Sequence, residues 1–103
     1  LSPPAQHAPA ALGDYGFIGK IAQLHFVRSI RLYGSRARGD HSPRSDIDLA
    51  VECPGAGARE WGKVMDIVDE ADTLLEVDCV RLDDASEPFK SQILKEGMFL
   101  YEQ

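Results

Sequence analysis

The chain has 103 residues, enough for one hydrophobic core, and its apolar share of 44% and charged share of 27% are ordinary for a globular protein. A formal net charge of −6 argues against gripping a nucleic-acid backbone as the main task, since that needs a surplus of Lys and Arg. No apolar run approaches the roughly 18 residues that span a bilayer, and the proline- and alanine-rich N-terminus has no secretory-signal pattern. Cys53 and Cys79 sit at no metal-ligand spacing and read as reduced thiols, so a cytoplasmic location is expected.

Residues 1–12 hold three prolines and no apolar period, and read as a flexible arm ahead of a single domain over 13–103. From Tyr15 to Val27, Phe17, Ile18, Ile21, Ala22, Leu24 and Phe26 follow helical spacing. Ile30, Leu32 and Tyr33 form a short strand that runs into Gly34-Ser35, with one or two helical turns across Ser35 to Gly39. A polar loop over 40–45 leads to an acidic strand ending near Glu52, and Pro54-Gly55-Ala56-Gly57 is loop chemistry. Trp61, Val64, Met65, Val68 and Ala71, continued by Leu75, mark an amphipathic helix. Glu76 to Leu82 reads as a third strand, with Val77 and Cys79 on one face and Asp78 on the other. Asp83 and Asp84 read as a turn. Ser86 caps a last helix with Pro88 in its first turn, Phe89, Ile93 and Leu94 as its stripe and Gly97 as its stop. The apolar tail from Met98 to Tyr101 packs back on the body, with Trp61, Phe89, Phe99 and Tyr101 read as core. This order predicts an α/β (α+β) fold, a small mixed sheet with helices packed on it.

Chemistry concentrates in two segments. A strand that ends in Gly34-Ser35, followed by Arg36 and Arg38, suits a turn that offers unpaired backbone N–H groups to phosphate. Ten residues separate Ser35 from Asp46-Ile47-Asp48, whose carboxylates share one face of an extended chain while Ile47, Leu49 and Val51 take the other. Two like charges side by side call for a hard divalent cation. Together the turn and the carboxylate pair point to nucleotide chemistry. Arg36 or Arg38 aims one guanidinium at the phosphates, or both are solvated, and Ser45 contacts the nucleotide or steadies the loop. Arg38-Gly39-Asp40 spells an integrin-binding tripeptide, which three matching residues are too few to support. His7, His25 and His41 have no partners at zinc-ligand spacing.

The compound pattern Gly-Ser-x10-Asp-x-Asp, with Ser45 before the first aspartate and Leu49 after the second, resembles the nucleotidyltransferase superfamily that includes DNA polymerase beta, and in its length the minimal nucleotidyltransferase (MNT) branch. The resemblance runs from about Ile30 to the C-terminus. It implies a polymerase beta-like fold and Mg2+-dependent transfer of a nucleoside monophosphate, AMP from ATP, to an acceptor hydroxyl. Asp46, Asp48 and, on the next strand, Asp78 would bind two Mg2+ ions; Gly34, Ser35, Arg36 and Ser45 would serve the nucleotide. Larger relatives carry a helical acceptor domain, so the resemblance implies that another chain supplies this part or is itself the acceptor. Small MNT proteins are commonly paired with a helical HEPN toxin, so the resemblance implies an antitoxin that adenylylates a tyrosine on that partner. Two other readings stay open, transfer to a small-molecule hydroxyl and a non-catalytic binding antitoxin. Templated polymerisation is disfavoured by the charge. A homo-oligomer through the apolar tail is left open.

Overall fold

The computed structural model describes residues 16–103, so the arm expected over 1–12 lies outside the described residues. Helix α1 (Gly16–Ala22) leads to strand β1 (Ser29–Tyr33), and a single turn of helix, α2 (Ser35–Arg38), follows it. Strand β2 (Ile47–Glu52), helix α3 (Ala58–Asp69) and strand β3 (Val77–Arg81) form a crossover unit. Helix α4 (Glu87–Glu96) and strand β4 (Met98–Glu102) close the chain. The sheet order is β3-β2-β1-β4. β1 is antiparallel to both β2 and β4, whereas β2 and β3 are parallel, as a connection through a helix allows. The result is the mixed-sheet α+β fold that the sequence predicts.

Alternation along the strands divides the apolar residues between two faces. Ile30 and Leu32 of β1 and Ile47, Leu49 and Val51 of β2 pack with Phe17, Ile18 and Ile21 of α1 and Val64 and Val68 of α3. Burying each such side chain stabilises the fold by roughly 1.5–3 kcal/mol, so this face supplies most of the apolar drive. On the opposite face Tyr33 and Ala50 pack with Leu82, with Ile93 of α4 and with Phe89, whose ring meets Tyr33 edge-on at 5.7 Å. This second cluster is small. α4 covers only part of its face, and the part left open carries the acids.

Several elements depart from the expected boundaries. α1 ends at Ala22 rather than continuing to Val27: Leu24 N–H bonds to the Ile21 carbonyl at 3.1 Å, an i−3 bond that tightens the chain into a turn. Leu24 and Phe26 still pack on the core, but from that turn. α3 stops at Asp69, and Leu75 reaches the core from a loop in which Thr73 Oγ1 accepts the Leu75 N–H at 3.1 Å. Leu82–Asp84 form a 3-10 turn as expected of Asp83 and Asp84, and Leu82 is buried there instead of ending the strand.

Ser86 occupies the N-cap position of α4, yet its hydroxyl makes no capping bond. Leu94, expected in the apolar stripe, is 49% exposed while Ile93 is fully buried. Gly97 does end α4, though not through a left-handed turn, since its φ is −72°. It is needed for space, because a Cβ there would lie 2.5 Å from the Ile93 carbonyl oxygen. The apolar tail is a full edge strand, β4, in register with β1 through Leu32 opposite Met98 and Arg31 opposite Phe99. Arg31 stacks its guanidinium 4.4 Å above the Phe99 ring. Among the described residues no helix is long and apolar enough to cross a membrane.

Candidate nucleotide site

Because β1 runs opposite to β2 and β3, the C-terminal end of β1 and the N-terminal ends of β2 and β3 meet at one edge of the sheet. Tyr33 pairs with Asp48, and Asp48 pairs with Asp78. Paired residues point to the same face, so the three side chains form a row across three strands. Asp46 lies just before β2 and is exposed, as is Asp78 on the edge strand; Asp48 between them is partly covered. Ile47 N–H, bonded to the Glu76 carbonyl at 2.9 Å, pins the entry of β2 to β3 and so sets this register.

Gly34 adjoins the row. Its φ of 75° and ψ of −155° belong to a region that residues with a Cβ avoid. A Cβ at this position would also strike the Asp48 carboxylate. Glycine therefore lets the turn and the acid occupy adjoining space. Ala37 and Arg38 N–H bond to the Gly34 carbonyl at 3.1 and 3.0 Å, closing α2, and Gly39 at φ 86° ends it. Among the described residues the Ser35 hydroxyl and N–H have no hydrogen-bond partner, so both are free for a ligand.

The two arginines of α2 take different directions. Arg36 Nε and Nη2 donate to the Ser45 carbonyl at 3.2 and 3.1 Å, and Nη2 also reaches the Pro43 carbonyl at 3.3 Å. Ser45 in turn accepts the Ser42 N–H through its hydroxyl at 2.9 Å. Arg36 and Ser45 thus brace the loop that joins the turn to Asp46. Arg38 instead bonds Asp40 Oδ2 at 3.2 Å and Glu96 Oε1 at 3.4 Å.

The charges make the row costly without a counter-ion. Burial, followed by the negative charges of Asp78, Asp46 and Glu96, raises the Asp48 carboxyl above its ordinary range, and only Arg38 opposes the rise. The Tyr33 phenol is pushed up to about 12, first by burial and then by Asp78, Asp48, Cys79 and Glu96, so it is neutral at pH 7. Among the described residues no three carboxylate, imidazole or thiol groups close into a metal cage. The donors that are present are carboxylate oxygens on an open edge. That set suits Mg2+, which takes one or two carboxylates and completes its shell with water and substrate phosphates.

Two participants were not legible in the sequence. Tyr33 reads as a strand residue, and only the register puts it beside Asp48. Glu96 lies 62 residues from Gly34, whose N–H it accepts at 3.1 Å, and no local pattern announces that pairing.

The family model described as polymerase beta nucleotidyltransferase matches residues 18–103, and the chain belongs to that family. Several of the similar solved structures are toxin–antitoxin complexes. A chain of a toxin–antitoxin with AMP-PNP is 26% identical with a TM-score of 0.63, over 87% of this chain and 74% of that one. A mutant of the MntA–HpeT toxin–antitoxin is 26% identical with a TM-score of 0.61, over 85% and 72%. A tri-AMPylated Shewanella oneidensis HEPN toxin in complex with its MNT antitoxin shares the fold at 22% identity and a TM-score of 0.62, over 92% of this chain and 74% of that one. No curated protein matches the sequence. This chain is therefore a nucleotidyltransferase-family domain similar to MNT antitoxins.

Proposed function

We propose that the protein is a Mg2+-dependent adenylyltransferase that moves AMP from ATP onto a hydroxyl of a partner protein, a tyrosine of a HEPN toxin, and so acts as an antitoxin. The observation that carries the reading is the register of Asp48 with Asp78 beside the glycine turn at Gly34, a carboxylate row next to a turn that leads into a helix. Support for ATP comes from the similar toxin–antitoxin that holds AMP-PNP. The tri-AMPylated toxin of the Shewanella oneidensis complex supplies the acceptor chemistry proposed here.

In this mechanism Asp46, Asp48 and Asp78 would hold two Mg2+ ions, which would supply positive charge for the triphosphate and lower the pKa of the acceptor hydroxyl. Ser35, through its N–H and hydroxyl, receives the β- and γ-phosphates, and Gly34 allows their close approach. Arg36 and Ser45 serve the nucleotide by bracing the loop under that turn. The acceptor oxygen attacks the α-phosphorus, the bond from that phosphorus to the bridging oxygen breaks, and pyrophosphate departs. Asp78, exposed and on an edge strand, orients the incoming hydroxyl and takes its proton. Neutral Tyr33 lines the floor and adds no charge to an already acidic row.

The test is incubation with α-labelled ATP, Mg2+ and the protein encoded next to this one, with Asp46→Asn/Asp48→Asn as control. Label on the partner only with intact aspartates supports adenylyl transfer to protein. ATP binding without label points to a small-molecule acceptor. Neither binding nor label identifies an antitoxin that works by occupancy alone.

A further inference from the structure

Glu96 is the last residue of α4, and its side chain reaches the nucleotide turn. A single oxygen, Oε1, accepts the Gly34 N–H at 3.1 Å and Arg38 Nη1 at 3.4 Å. Gly34 and Arg38 are the N-cap and the last residue of α2, so one carboxylate ties both ends of that helical turn. The Glu96 side chain is only 18% exposed. Its backbone is held by the Gly97 N–H bond to the Ile93 carbonyl at 2.7 Å, next to the glycine that only a missing Cβ fits.

Strand pairing explains why a side chain does this work. β4 begins at Met98, opposite Leu32, so at the level of Gly34 the ladder has given way to the end of α4. The Gly34 N–H would otherwise be an unpaired donor at the edge of the core, and Glu96 supplies the acceptor that the strand does not. The same oxygen and Asp40 together fix the Arg38 guanidinium on two sides. Arg36, by contrast, is committed to loop carbonyls. Arg38 is thus the α2 cation left next to the acid row, and Glu96 shares with Asp40 the setting of its direction.

We propose that Glu96 is a positioning residue for polyphosphate binding: it locks the Gly34 turn and aims Arg38 at the site where the triphosphate sits. The inference rests on the nucleotidyltransferase reading above. Glu96 touches neither the phosphates nor the metal in this account, and acts through Gly34 and Arg38.

Binding of Mg2+ with AMP-PNP, and separately of AMP, is measured by calorimetry on the full chain for wild type, Glu96→Ala and Glu96→Gln. Amide exchange at Gly34 is followed by NMR in the same samples. Losing a charge-assisted hydrogen bond should weaken AMP-PNP by about tenfold in Glu96→Ala and leave AMP within about twofold. The Gly34 amide should lose protection in Glu96→Ala and keep it in Glu96→Gln, whose amide oxygen still accepts. Equal losses for AMP-PNP and AMP, or wild-type affinity in Glu96→Ala, overturn the role of Glu96 while the nucleotidyltransferase reading stands. Wild-type protein that binds no AMP-PNP overturns that reading and the role of Glu96 with it.

Discussion

Gly34→Ala is the sharpest perturbation of the link between fold and site. Two separate costs apply. The backbone at φ 75° and ψ −155° is one that alanine adopts at a cost of roughly 1–3 kcal/mol. The new methyl also collides with the Asp48 carboxylate, and forcing a side chain out of a packed position costs about 1–3 kcal/mol more. A total near 3 kcal/mol should lower Tm by roughly 12–24 °C for a domain of this size. Thermal denaturation followed by circular dichroism measures it, and a double-mutant cycle separates the terms. In an Asp48→Ala background the carboxylate is gone, so only the backbone cost should remain, with a coupling of at least about 1 kcal/mol. A Gly34→Ala protein that melts within about 2 °C of wild type would refute the argument. An undiminished cost in the Asp48→Ala background would refute the collision alone.

Asp48→Asn should raise stability at pH 7. The folded carboxyl titrates above its unfolded value, so the stability it contributes is present at acid pH and is lost as pH rises through the folded pKa. The gain in Asp48→Asn should therefore vanish as pH falls below the ordinary Asp range, read from urea midpoints across pH. Alkaline pH should destabilise the wild type in a related way. Tyr33 and Cys79 both titrate at about 12 in the fold, above their unfolded values, so stability falls between about pH 9 and 12. Tyr33→Phe should flatten part of that fall, and an unchanged slope would rule Tyr33 out as its source. Arg81 donates to the Cys53 and Ala56 carbonyls at 2.8 and 2.7 Å and pairs with Asp83, which accepts the Cys53 N–H at 2.8 Å. Arg81→Ala should cost roughly 3 kcal/mol by orphaning these groups, and denaturant unfolding that shows under about 1 kcal/mol would contradict it.

Local pattern was a good guide wherever one short segment carries the whole signal. Alternation placed Ile47, Leu49 and Val51 on the core face, and the Gly34-Ser35 turn leads into α2 as its residue types require. It was a poor guide where an end depends on packing. α1 stops at Ala22 although the apolar spacing continues, because Leu24 and Phe26 reach the same core from a turn. The Met98–Glu102 segment has no turn-flanked alternation to mark it, and it is a strand because β1 offers it a free edge. Arg36 and Arg38 could not be sorted from sequence either, since the carbonyls of Pro43 and Ser45 and the carboxylate of Glu96 decide between them.

The sequence by itself determined the kind of chemistry: a glycine turn, two acids sharing a strand face and a third acid on a later strand are properties of residue type and short spacing. Only the tertiary structure decided how these parts meet. The parallel pairing of β2 with β3 sets Asp78 beside Asp48, the antiparallel pairing of β1 adds Tyr33, and the end of α4 brings Glu96 to Gly34. The reason is physical. Which face a side chain takes follows from a period of two within one strand, whereas which residue lies beside it depends on register, and register is settled by long-range packing of the whole core.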